Sequence, residues 1–162
     1  MTAYDTDYGV WLAEQINHLK THEWEHLDID NLIEELEALN KSDKRELYSY
    51  LVVLLAHLLK WQYQPQNQSG SWEASITNSR NRIARLFKDR PSLKPYISEI
   101  LAEAYSEAVP WASKETKLGK HIFPLECPYN LEQILDANFF PQPPTAEEDD
   151  DQEQQAEEDH DN

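Results

Sequence analysis

The sequence predicts an all-α protein: a helical bundle of four to five main helices, an irregular C-terminal strap and a disordered acidic tail. Three observations carry that expectation. Apolar residues recur at three- and four-residue spacing over most of the chain. Only 3 glycines occur among 162 residues, with no Asn-Gly or Asp-Gly pair, so the strongest hairpin signals are missing. Residues able to cap helices (Asp28, Ser42 or Asp43, Ser71, Ser92 and Asn130) stand just before the apolar runs.

Tyr8, Trp11, Leu12, Ile16 and Leu19 form a stripe that predicts a first helix over about residues 6–20. Asp28 is placed to cap a second, on which Leu32, Ile33, Leu36 and Leu39 share a face. Asn40–Asp43 reads as a short joint that turns or sharply bends the chain into a third helix. That helix carries Leu47, Leu51, Leu54, Leu55, Leu58 and Trp61. Val52, Val53 and Leu59 extend its apolar surface nearly all round, which predicts the central helix, with His57 on a flank and Lys60 pointing away from the main stripe. The polar stretch at 62–71 reads as a loop. Ser71 then caps a fourth helix with Trp72, Ile76, Ile83, Leu86 and Phe87. Ser92 caps a fifth, with Pro95 in its first turn and a break or kink at Pro110. Gly119 to Cys127 reads as extended, and Asn130 opens a final short helix through a capping box with Gln133 and a Tyr129–Ile134 staple.

LDIDNLIEELEALNKSDKRELYSYLVVLLAHLLKWQYQP at 27–65, SWEASITNSRNRI at 71–83, PSL at 91–93, FPLECPYNLEQIL at 123–135 and FFP at 139–141 resemble, in the same order, the family catalogued as domain of unknown function 29, abundant in cyanobacteria. The resemblance covers nearly all of residues 4–141 and implies a small, mainly helical, intracellular bacterial protein. It offers no catalytic residue to carry over, and the acidic tail lies outside its pattern.

Charge is unevenly distributed. The chain holds 31 acidic and 14 basic residues, a net −17, and ten of the acids fall in residues 145–162. That segment has no large apolar side chain and cannot offset its ordering entropy, so residues 1–144 are expected to form the bundle domain and 145–162 a disordered tail. Such an excess of acid argues against general nucleic-acid binding and against an anionic membrane surface. The longest apolar run, Leu51 to Leu59, is interrupted by His57 and falls short of the roughly 20 residues that span a bilayer. The acidic N-terminus does not read as a signal peptide, and the single Cys127 suits a reducing, cytoplasmic setting. Arg80 to Lys94 is basic, and reads as neutralising the acidic N-terminal helices rather than as a phosphate-binding face.

Chemistry centres on a polar cluster of Glu35, Glu37, His57, Trp61 and Arg80, with Glu34 pointing opposite to the helix-two stripe. Glu and His on facing helices can build an acid/base or metal site. The plainer reading is a hydrogen-bonded structural histidine with carboxylate–arginine pairs locking helix order. His18, His22 and His26 stand four apart and would align as metal ligands, with Glu14 or Glu25, only if the helix persisted; Thr21 and Trp24 suggest that it ends, leaving a solvated face. Cys127 and His121 are conceivable as a nucleophile pair, but nothing supplies an orienting group. No catalytic residue, metal ligand or cofactor is assigned. The expectation is a non-enzymatic helical module that binds a protein partner, the alternative being a cryptic enzyme or metal-binding bundle centred on His57 and the helix-two carboxylates.

Overall fold

The structure is a computed structural model in which residues 2–145 are described. The disordered tail expected at 145–162 lies, apart from Thr145, outside the described residues. Among those residues there are six α-helices and no strand, the all-α class that the spacing predicts: α1 (Ala3–Thr6), α2 (Tyr8–Lys20), α3 (Ile29–Tyr63), α4 (Gly70–Asp89), α5 (Tyr96–Thr116) and α6 (Leu131–Leu135). No helix among them is long and apolar enough to cross a membrane. The chain falls into two compact units, Met1–Asp43 and the part from Lys44 onward.

In the first unit, Asp7 caps α2 by accepting from the Val10 amide at 3.1 Å. Asp28 caps α3, its carboxylate accepting from the Asn31 amide at 3.5 Å and from the Trp11 indole at 2.9 Å. The Gln15 side-chain oxygen receives the Asp28 amide at 2.8 Å. Trp11 and Gln15 are this unit's buried residues among those described. Apart from buried Trp11 and half-buried Leu32, the two stripes read from the sequence are open: Tyr8, Leu12, Ile16 and Leu19 on α2, and Ile33, Leu36 and Leu39 on α3, are all exposed. The reason is scale, because a unit this short cannot enclose enough apolar surface to bury two full stripes.

The second unit holds one extensive apolar core. Leu47, Leu51, Leu54, Leu55, Leu58 and Leu59 of α3 are fully buried there with Ile76 and Ile83 of α4 and Ala104 and Ala108 of α5. This part of α3 is central, as its all-round apolar surface predicts. The joint expected at Asn40–Asp43 is absent, and α3 runs unbroken through it. Asn, Ser and Asp are only mediocre helix formers, and no Gly or Pro is present to stop propagation.

Three helix boundaries are also corrected. Ser69, not Ser71, caps α4, accepting from the Trp72 amide at 3.2 Å. A 3-10 turn at Pro91–Leu93 precedes α5, which begins after Pro95 rather than at a Ser92 cap. Pro110 does not end α5, which continues to Thr116. Ser106, whose carbonyl loses its usual partner to the proline, is an exposed residue, so that loss is tolerable there. Downstream, a 3-10 turn at Lys120–Ile122 leads into an irregular strap anchored by buried Phe123 and by the Tyr105 hydroxyl, which donates to the Pro124 carbonyl at 2.6 Å. The capping box of α6 forms as predicted: the Gln133 amide donates to Asn130 at 2.8 Å and the Asn130 amide to the Gln133 side chain at 3.1 Å.

Candidate functional site

The residues singled out from the sequence sit in distinct surroundings. Glu35 belongs to the first unit, where its two oxygens accept from the Tyr4 and Tyr8 hydroxyls at 2.6 and 2.8 Å. Those bonds hold its carboxyl below the usual carboxylate range, and the same contact pushes the Tyr4 phenol up to about 12. Glu34 and Glu37 are exposed. In the second unit, His57 is half-buried, Nδ1–H donating to the Val53 carbonyl at 2.8 Å, with the ring edge-on to Trp111 at 5.9 Å. Burial lowers its pKa and outweighs that hydrogen bond, so the imidazole is neutral and Nε2 carries the lone pair. Arg80 is buried, donating from Nε to the Ile134 carbonyl at 2.8 Å and from Nη2 to the Gln133 carbonyl at 3.3 Å. Its guanidinium lies 5.6 Å from the Phe140 ring, which Trp61 meets from 4.9 Å. Trp61 and Arg80 therefore share Phe140, whereas Glu35 and His57 each have partners within their own unit.

Sequence reasoning missed a second buried charge. Lys60, read as pointing away from the main stripe, is 5 % exposed; its ammonium meets the Glu115 carboxylate and lies 4.6 Å above the Trp72 ring. Glu115 also accepts from the Trp111 indole at 2.6 Å. Partial burial favours its neutral form, but the bonds from Lys60 and Trp111 and the ammonium charge prevail, leaving its pKa lowered. The arrangement ties α3, α4 and α5 together. Its sequence signal was slight, a lone lysine inside an apolar helix, with its partner 55 residues away. Cys127 is also partly buried, which pushes its thiol up, opposite to what a nucleophilic thiolate requires.

The first unit presents a different kind of surface. Of the large apolar side chains that are exposed among the described residues, all but Leu125 belong to it. Leu12, Ile16 and Leu19 recur along α2 at helical spacing, as Ile29, Ile33 and Leu36 do along α3. Leu36, at 65 % exposure, is the most open of these. From Asp5 to Asp43 the same unit carries eleven acidic residues against Lys20 and Lys41. Apolar stripes set in acid, with aromatic–carboxylate bonds rather than a core holding the helices, define an acidic, all-helical protein with an exposed apolar face.

The chain matches the family described as "Domain of unknown function DUF29" over residues 3–140 and belongs to that family. No curated protein and no solved structure matches it.

Proposed function

We propose that the protein is a non-enzymatic helical interaction module of the cytoplasm, and that its first unit receives a basic amphipathic helix from a partner protein. The observation that carries this reading is the concentration of exposed apolar side chains on α2 and on α3 before Asp43. A partner helix docks through anchors at i, i+3, i+4 and i+7, which is the spacing those stripes present. Charge selects the occupant. Eleven acids against two lysines would repel a second copy of the same face and attract a helix flanked by Lys or Arg. Desolvation of the leucines and isoleucines supplies the affinity, while the acids set orientation and speed of encounter.

The test uses two synthetic helical peptides with the same leucine stripe, one flanked by lysines and the other by glutamates. The full-length protein should bind the lysine peptide in a salt-sensitive manner and ignore the other, and Ile16→Glu with Leu36→Glu should abolish binding without altering the circular dichroism. Equal binding of both peptides, or binding that survives the double substitution, overturns the reading. So does a concentration-dependent dimer dissolved by the same substitutions, which would make a second copy the occupant.

A further inference from the structure

Where α2 ends, two histidines and a glutamate converge through backbone geometry that the sequence spacing does not show. Thr21 closes the helix; His22 then adopts a left-handed conformation, φ 58°, which costs a non-glycine residue roughly 1 kcal/mol. The chain reverses there, the Glu23 amide donating to the His18 carbonyl at 2.9 Å and the His22 amide to Leu19 at 3.4 Å, the paired bonds of a Schellman ending. A 3-10 turn at Trp24–His26 completes the reversal. His18 and His26, which a continuous helix would have set two turns apart, now face one carboxylate.

Glu23 Oε2 lies 3.5 Å from His18 Nδ1 and 3.0 Å from His26 Nδ1. One ligand atom from each residue falls within 4.8 Å of the others. Tetrahedral zinc at bond lengths of about 2.0–2.1 Å sets its ligands about 3.3 Å apart, so the two separations from Glu23 Oε2 already suit the ion, and the imidazoles need only close on each other from within 4.8 Å. Glu23 is fixed in place by its other oxygen: Oε1 takes the Thr21 hydroxyl at 2.6 Å, and that bond is the main reason the carboxyl pKa is lowered. His18 Nδ1 is shielded from solvent and has no hydrogen-bond partner, an orphaned nitrogen within reach of the shared carboxylate. His22 stands apart, its ring 5.1 Å from Trp24.

We infer that His18, Glu23 and His26 form a zinc site, with both imidazoles binding through Nδ1, Glu23 through Oε2, and solvent in the fourth position. Side-chain exposures of 42 and 64 % for Glu23 and His26 place the site at the surface, with an entry path on their side and the shielded His18 Nδ1 behind it. Two imidazoles favour zinc over magnesium or calcium, which take oxygen ligands. The carbonyl end of α2 adds favourable potential for a cation. The ion would also supply what the first unit lacks, since it buries little besides Trp11 and Gln15, and short units are commonly stapled by a metal.

Isothermal titration of the full-length protein with zinc chloride is the experiment, repeated on Glu23→Gln, His26→Ala, His121→Ala and a chain truncated after Thr145. A single ion should bind per chain, weakened at least about tenfold by Glu23→Gln and by His26→Ala. His121→Ala and the truncation should bind as the parent does. Absence of binding, binding unchanged in the two ligand variants, binding lost on truncation, or equal binding of magnesium would each overturn the assignment. His26 is exposed enough for its replacement to leave the helical circular dichroism intact, so loss of binding there reads as loss of a ligand.

Discussion

The Lys60 ammonium meets the Glu115 carboxylate over the face of the Trp72 indole, but the two partners are unequally placed: Lys60 has a side chain 6 % exposed, Glu115 one that is 42 % exposed. That asymmetry decides what each substitution does. Glu115→Ala strands a charge that water cannot reach and should cost about 2 kcal/mol, less than a fully buried pair would because the acid is half in solvent. Lys60→Met removes the buried charge itself, leaves a carboxylate that water can solvate, and should cost under about 1 kcal/mol. Urea unfolding of both variants checks the order; equal losses would mean that the pair acts through packing alone.

His57 sets a pH dependence of opposite kind to an ion-paired histidine. Burial lowers its pKa in the folded chain from the ordinary 6.5, so the unfolded chain takes up the proton first as pH falls. Stability from this residue is complete above about 6.5 and is lost as pH drops toward the lower folded value. The parent should therefore lose stability between pH 7 and pH 5 more steeply than His57→Asn, in thermal melts run across about that range. A parallel fall in both would place the titrating group elsewhere.

Arg80 supports the strap by donating to the last carbonyls of α6, through Nε to Ile134 and Nη2 to Gln133. Charged donors to buried carbonyls contribute about 1.5–3 kcal/mol, and Arg80→Ala should cost toward the upper end because the aliphatic stem is buried as well. Arg80→Lys should recover only part, since an ammonium cannot reproduce the fork. Hydrogen exchange should speed up in residues 131–141 before the rest of the second unit, and uniform acceleration would show that Arg80 acts on the whole core instead.

What could be read from the chain follows from the range of each interaction. The α6 box between Asn130 and Gln133 is local, and both its bonds form as the spacing says. The all-round apolar surface of α3 marked it as central for the same reason. The unbroken passage through Asn40–Asp43 was not legible, because residues that often end helices do so only when a competing arrangement is better. The site residues were harder still. Lys60 finds its acid 55 residues away and Tyr4 finds Glu35 after 31, separations that no periodicity reports. Helical spacing sets His18 and His26 two turns apart, whereas a left-handed residue between them brings both to Glu23.

Leu36 and Leu55 occupy one helix and would score alike on any hydropathy scale, yet Leu36 is 65 % exposed and Leu55 fully buried. Leu55→Ala should cost about 2–5 kcal/mol, the lost transfer energy plus the cavity left among α3, α4 and α5. Leu36→Ala removes atoms already in water, so its effect should stay within about 0.5 kcal/mol. Paired urea titrations settle the contrast. A large loss at Leu36 would mean that the side chain is covered in solution, with the apolar face of the first unit already occupied, and a concentration-dependent midpoint would identify a second copy as its cover. A negligible loss leaves that face free for a partner, at a position where change costs binding rather than folding.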